Sequence, residues 1–348
     1  MKLTRAMLDE AASQGLLDRD QAGRLWQFLA EREQHTPGFK PAHILYYLGG
    51  MIAIGAMSLF MTLGWESFGG TGLLFISICY MVAAIGSVEW LRVRRMELPA
   101  GVLAALAVVL VPLAVYGLQH MLGLWADDGP GSSYRNYHDY IDWRWIYMEL
   151  ATLAGGAVVL WRYRMPFTVM PVAVTLWYMS MDVTDMLLGG SAGFFSHEGK
   201  VISAVFGAAM TLLALWIDLR NRSSKDYAFW LYIWGVVTFW GALSSMDSHN
   251  ELGKLVYCLI NVLMIGIGAA LSRRVFAVFG GFGLAGYLGH LSYTVFRDSL
   301  MFPVALTAIG IAIIAAGIFW QRHEAVIGAT LRQWLPDPVR ILVERRAA

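Results

Sequence analysis

Two carboxyl groups lie three residues apart at the end of an apolar segment in the middle of the chain. The segment, residues 175–190, reads TLWYMSMDVTDMLLGG, and its acidic residues are Asp182 and Asp185. Residues three apart share one face of a helix. A charge within a bilayer costs on the order of a few kcal/mol, so such groups normally pair or line a wet cavity. Carboxyl groups in this setting are suited to proton relay or to binding a small cation.

Other apolar segments carry polar groups at a similar depth, about 7–9 Å inside their outer ends at 1.5 Å per helical residue. Glu149 and His290 lie at this depth in the fourth and ninth predicted spans, Lys254 opens the eighth span from outside, and Asn261 lies two turns deeper on it. We predict an outward-facing vestibule with a polar core of Glu149, Asp182 and His290, assisted by Asn261 and Lys254, with Asp185 nearer to water. Two alternatives stay open: a structural ion-pair network that orients helices, and plain solvation of the two aspartates at the interface.

The composition determines which elements position these groups. The chain has 348 residues, of which 57% are hydrophobic and 15% charged, against about 25% charged in soluble domains. The apolar residues fall into blocks of about 20, the length that crosses a hydrocarbon core about 30 Å thick as a helix. We therefore predict an all-α polytopic transmembrane bundle in residues 44–320. Uninterrupted apolar blocks exclude one soluble core and a transmembrane β-barrel.

The basic residues predict the number and direction of the spans. We predict ten spans, at 44–63, 71–91, 99–119, 143–162, 166–187, 201–219, 227–246, 254–271, 275–295 and 300–320. With both termini in the cytoplasm, 21 of the 26 lysines and arginines lie inside, and outside are Arg135, Arg144, Lys200, Lys254 and Arg297. Such an asymmetry, alternating at every loop, follows the positive-inside rule.

The two ends of the chain are predicted to be cytosolic. Residues 1–40 read as a helical hairpin, whose first helix ends at Gly15 and whose second begins at Asp18 with Gln21 in a variant capping box. The hairpin either stabilises or oligomerises the protein, or it docks a protein partner. Residues 321–348 mix apolar and basic residues, the pattern of an amphipathic helix on an anionic membrane surface.

Several function classes lack support in the sequence. A net charge of +1 gives no basic field for nucleic acid. Cys79 and Cys258 lie alone, without CxxC spacing, Ser244 and Ser245 lack a GxSxG setting, and no predicted span contains HExxH. We therefore expect no cofactor and no enzymatic activity. Whether acidic and histidine side chains of the outer loops bind a metal stays open, because their spacing matches no familiar ligand set.

Local spacing also predicts ordinary structural contacts. We expect interfacial ion pairs between Glu89 and Arg92 and between Asp218 and Arg222. A row of small residues in the ninth span is expected to let its backbone approach a neighbouring helix closely; it consists of Gly281, Ala285 and Gly289.

Three stretches of the chain resemble a known group of sequences. They are HILYYLGGMIAIGAMSLFMTLGWESFGG, the stretch from FGGFGLAGYLGHLSYTVF to IFWQRHE, and the N-terminal QGLLDRDQA. They look like uncharacterised bacterial multi-pass membrane proteins that are grouped under a domain-of-unknown-function label. The resemblance implies a bacterial inner-membrane protein and assigns no catalytic or binding residue.

The residues thus favour a proton- or cation-coupled transporter or permease-like protein in contact with the lipid bilayer. The alternative is a non-transporting scaffold, sensor or assembly factor that acts through its N-terminal hairpin.

Overall fold

The computed structural model of the protein describes most of the chain between residues 41 and 296. The described residues are 8, 12–15, 18, 20–25, 41–125, 143–188, 196–221, 223, 225–246, 251–296, 303–304, 307–308, 310–311, 314–315, 318, 336 and 339–340. Some side chains within these helices, that of Asp185 among them, lie outside the description. Every regular element in the described ranges is helical, which agrees with the predicted all-α class.

Eight long helices follow one another in the described part of the chain. They are α1 (Pro41–Val93), α2 (Glu97–Met121), α3 (Trp143–Tyr163), α4 (Val169–Leu187), α5 (His197–Arg220), α6 (Phe229–Ser245), α7 (Glu251–Leu271) and α8 (Arg274–Phe296). A single 3₁₀ turn, Pro166–Thr168, precedes α4. The helices α2 to α8 lie at the positions of the third to ninth predicted spans.

Four described helices are long and apolar enough to cross a membrane: Phe68–Val93, Glu97–Met121, His197–Arg220 and Leu252–Leu271. The shorter α6 is also apolar. These helices are compatible with an integral membrane protein in contact with lipid. The total of ten spans stays a prediction, since most of the tenth, 300–320, and most of the tail, 321–348, lie outside the described residues.

Gly69 interrupts α1 between the first two predicted spans. Its φ of 62° and ψ of 177° depart from helical values, in a backbone region that is essentially restricted to glycine. Two helical segments therefore meet at this residue.

The chain divides into two compact units, Met1–Met51 and Ile52–Ala348. In the first, Leu8 and Ala22 are buried. Gly15 has a φ of 72°, and the Asp18 amide donates a hydrogen bond to Gln21 Oε1 over 3.2 Å. These features agree with a helix stop at Gly15 and with one bond of the capping box, while the hairpin as a whole stays a prediction. Most other residues of the predicted hairpin lie outside the description.

In the second unit, helices that are consecutive in sequence mostly pack as neighbours. α3 packs on α2 and α4, α4 also packs on α5 and α6, and α8 packs on α7 and α6. The α5–α6 contact is the most extensive. A Cβ atom on Gly207 would overlap the backbone of Phe239, and one on Gly235 would lie 2.7 Å from Thr211 Oγ1. The two backbones approach this closely because both crossing points are glycines.

The close contacts of α8 with described residues involve Gly280 and Gly283, next to the predicted face of Gly281, Ala285 and Gly289. Among the described residues, a Cβ atom on Gly280 would lie 2.6 Å from the Asn261 carbonyl, and one on Gly283 would overlap the Asn261 side chain. Near Gly281 and Gly289, by contrast, the described atoms leave open space. Regular four-residue spacing indicated a small-residue face, but the neighbouring helix selects which face is used.

Three helices end in a left-handed residue that is not glycine. Arg95 after α1, Arg164 after α3 and Ser272 after α7 have φ of 59°, 53° and 54°. This conformation costs a residue with a side chain about 1–2 kcal/mol, so glycine is usual there, as at Gly123 after α2. At α7 the Ser272 and Arg273 amides donate to the carbonyls of Ala269 and Gly268, which is a Schellman turn.

Candidate functional site: a buried carboxyl pair between α3 and α4

The short connection between α3 and α4 sets the depth of the two carboxyl groups. Glu149 precedes the end of α3 by about 14 residues and Asp182 follows the start of α4 by about 13, so each lies about 20 Å from the connection. α3 packs along α4, which returns after the 3₁₀ turn. Two groups equally far from a tight turn between antiparallel helices lie opposite each other.

Glycines keep α3 close to its two neighbours. A Cβ atom on Gly156 would overlap the Val172 side chain of α4, and one on Gly155 would lie 3.0 Å from Val111 of α2. Glu149 and Asp182 lie farther from the α3–α4 connection than this contact.

Glu149 and Asp182 are in contact and are both buried. Each is 7% exposed, and the Asp182 carboxyl group lies within hydrogen-bonding reach of the Glu149 carboxyl group. An ionised carboxylate only accepts hydrogen bonds, so a bond between two carboxyl groups requires a proton on one of them. Within the described part of the chain, Glu149 Oε2 has no hydrogen-bond partner. The pair can therefore hold one shared proton and still offer a free oxygen to a water or a cation.

Hydroxyl groups near the pair are held by the backbone. Thr152, Ser180 and Thr184 are buried and donate to the carbonyls of Met148, Trp177 and Ser180 over 2.6–2.7 Å. Back-bonding to the preceding turn satisfies these hydroxyls within their own helices. Their remaining lone pairs can only accept hydrogen bonds.

Asn261, which the sequence analysis assigns to the vestibule, lies on α7 and contacts the neighbouring helices α6 and α8. It is fully buried, accepts a hydrogen bond from Trp240 Nε1 of α6 over 3.2 Å and donates to the Tyr257 carbonyl over 2.8 Å. On its third side it packs against Gly283 of α8. Its amide thus links α6, α7 and α8 and is occupied by structural contacts.

Two other predicted vestibule residues, His290 and Lys254, lie on helices other than α3 and α4. His290 is exposed on α8, and Lys254 is half-buried in the first turn of α7. The side chain of Asp185 lies outside the described residues. The structure therefore brings Glu149 and Asp182 together, whereas α8, which carries His290, packs on α6 and α7.

The opposite end of the bundle contains the ion pairs. The predicted pair is confirmed: Arg92 Nη1 lies 3.2 Å from Glu89 Oε2. Arg162 Nη2 of α3 lies 3.1 Å from the other Glu89 oxygen. Asp218, expected to pair with Arg222, is buried and bonded to Arg273 Nη2 over 3.0 Å. Arg222 lies outside the described residues.

Arg273 is the centre of a buried cluster that sequence reasoning missed. Its guanidinium makes two hydrogen bonds to Asp226 and one to Asp218, and lies 4.8 Å from the centre of the Tyr232 ring. Burial acts to lower the pKa of Arg273, but the bonds and charges of the two aspartates outweigh it and raise the pKa. The cluster could not be predicted from local spacing, because its residues are far apart in the sequence. The Schellman turn at Ser272 places Arg273 where it bonds Asp226 and Asp218, which lie 47 and 55 residues earlier in the chain.

No protein-family model, curated protein or solved structure matches the chain. The function must therefore be inferred from the geometry of its own residues.

Proposed function

We propose that the protein is a proton-coupled, permease-like transport protein of the bacterial inner membrane, in which Glu149 and Asp182 carry the coupling proton. The observation that carries this proposal is the pair of carboxyl groups, within hydrogen-bonding reach of each other and buried between two helices of an apolar bundle. Buried ionisable groups on membrane helices commonly mark proton and ion pathways.

The pair couples protonation to helix contact. Two unit charges about 4 Å apart repel by about 4 kcal/mol where the effective dielectric constant is about 20. Loss of the shared proton therefore drives Glu149 and Asp182 apart. The close contact between Gly156 and Val172 lies nearer the connection and can serve as the pivot. The outer ends of α3 and α4 then open when the pair is ionised and close when it is protonated, which is a gate.

Contacts between loops support the proposed direction of the spans. Lys225 Nζ lies 2.7 Å from Glu97 Oε2, and both belong to loops that the positive-inside rule assigns to the cytoplasm. Tyr227 likewise donates to the Arg164 carbonyl. Arg144, assigned to the outside, donates to the Leu124 carbonyl at the other end of the same outer loop over 2.8 Å. The loops assigned to the cytoplasm thus contact each other, which supports ten spans with both termini in the cytoplasm.

Proton flux in proteoliposomes tests the proposal. The purified protein is reconstituted with a pH-sensitive dye inside, and a membrane potential is imposed with potassium and valinomycin. Glu149→Gln and Asp182→Asn are each expected to reduce the initial flux about tenfold or more, because neither variant retains two ionisable carboxyl groups. Glu198→Gln, which neutralises an exposed carboxylate in the first turn of α5, should leave the flux unchanged.

Infrared difference spectroscopy provides a readout that needs no substrate. A pH step should reveal the carbonyl stretch of a protonated carboxylic acid in the wild type, and this band should be lost or shifted in both variants. The proposal is wrong if flux and band are the same in wild type, Glu149→Gln and Asp182→Asn. Flux that responds to sodium or potassium but not to pH would reassign the pair to a metal cation.

A further inference from the structure

We infer that the protein binds an anionic phospholipid at the end of the bundle opposite the carboxyl pair. The phosphate would lie in a basic cleft formed by the ends of α1 and α3, and an acyl chain would lie in an adjoining apolar groove.

The basic cleft has a volume of about 420 Å³ and is lined by Arg92, Trp161, Arg162, Tyr163 and Arg164. Glu89 bonds both Arg92 and Arg162. Arg164 adds a third guanidinium group to the lining, so the cleft has three positive charges against the one negative charge of Glu89 and keeps a net positive charge. Arginine forks match the geometry of phosphate oxygens, with which they form paired, charge-assisted hydrogen bonds.

An apolar groove of about 340 Å³ begins at the same arginine. Arg164 lines it together with Tyr227, and aliphatic side chains of α3 to α6 form its walls, including Leu160, Val172, Leu176, Leu213 and Ile217. A basic cleft joined to an aliphatic groove matches a ligand that has a phosphate at one end and a hydrocarbon chain at the other. A free phosphate would use only the first half of this site.

Arg164 is held at the junction by its backbone. Its φ is 53°, its amide donates to the Leu160 carbonyl over 2.9 Å, and its carbonyl accepts from the Tyr227 hydroxyl. Glycine would adopt this left-handed conformation without strain. An arginine held there despite the strain is the kind of outlier that clusters at binding sites.

The aromatic residues around the cleft fit the level of the lipid headgroups. Trp161 is 77% exposed and Trp90 is 55% exposed. Arg94 lies over the Trp90 ring at 3.9 Å from its centre. Exposed tryptophans near basic residues are typical of the membrane–water interface, where anionic headgroups lie.

Lipid occupancy measured by native mass spectrometry of the full-length protein in detergent tests this inference. The probes are phosphatidylglycerol, phosphatidylcholine with the same acyl chains, and inorganic phosphate as a competitor. We expect phosphatidylglycerol adducts at lower lipid concentrations than phosphatidylcholine adducts. Arg164→Gln should weaken phosphatidylglycerol binding about tenfold. Arg94→Gln, which removes the same charge outside the cleft, should have a much smaller effect.

The groove has its own pair of variants. Leu213→Trp fills it from a partly exposed position, whereas Leu212→Trp places the same ring on the exposed side of α5. Only the Leu213 variant should weaken binding of long-chain phosphatidylglycerol, while a short-chain homologue binds it as before. Equal effects of the Arg164 and Arg94 variants would mean that phosphatidylglycerol binding depends on the general surface charge and not on the cleft. Full competition by inorganic phosphate, with no effect of Leu213→Trp, would replace the lipid with a free anion.

Discussion

Removal of Arg273 should destabilise the protein far more than removal of an exposed cation. The side chains of Arg273 and Asp218 are 9% and 3% exposed, whereas that of Asp226 is 42% exposed. In Arg273→Met, which has a similar length but no charge, Asp226 can turn to water, whereas the buried Asp218 loses its bond to Arg273. Breaking a buried ion pair in this way costs about 3–5 kcal/mol, and we expect a loss of that size.

The assay is the free energy of unfolding in mixed micelles, measured by titration with a denaturing detergent and tryptophan fluorescence. Lys225→Met is the matched control, since the Lys225–Glu97 side chains are 39% and 68% exposed and such surface pairs contribute about 0–1 kcal/mol. Asp218→Asn introduced into Arg273→Met should recover stability, because it removes a buried negative charge that has lost its bond to Arg273. The reasoning fails if Arg273→Met loses no more than Lys225→Met, or if Asp218→Asn does not restore any of the loss.

Three further substitutions test backbone geometry by the same assay. Ser272→Gly should stabilise the protein by up to about 1 kcal/mol, because glycine adopts a φ of 54° without strain; unchanged or lower stability would contradict this. Gly283→Ala should destabilise by about 1–3 kcal/mol, since its Cβ overlaps the buried Asn261 amide, whereas Gly281→Ala, which meets open space among the described atoms, should not. Gly207→Ala should separate α5 from α6 and lower stability by a similar amount; wild-type stability would mean that this contact is looser than the geometry indicates.

The depth of polar groups could be predicted from the sequence. Hydropathy defines the ends of each helix, and the rise per residue converts the distance from an end in residues into a depth. Glu149 and Asp182 were placed at one level in this way, and adjacent segments joined by a short turn must pack side by side. The rotation of a helix about its axis is not given by hydropathy. Asn261 lies at a suitable depth, but its helix turns it towards Trp240 and Gly283.

Contacts between distant segments could not be predicted from spacing. Asp218 has a basic residue four positions later, and a local ion pair was the natural inference. Its observed partner, Arg273, follows the left-handed residue Ser272, and a serine at this position does not predict such a turn. The arginine cleft is similar: the positive-inside rule assigned its three arginines to the cytoplasm, but only the packed ends of α1 and α3 bring them around one space.

The tight link from Arg164 to Thr168 makes the length of the α3–α4 hairpin a constraint on the chain. One extra residue on either helix between this link and its acidic residue would rotate that carboxyl group by about 100° and shift it by about 1.5 Å. The two acids would then no longer face each other, even though every residue of the pair was still present. Insertions and deletions there should therefore abolish activity in a variant library, whereas conservative point substitutions along the same stretch should often be accepted.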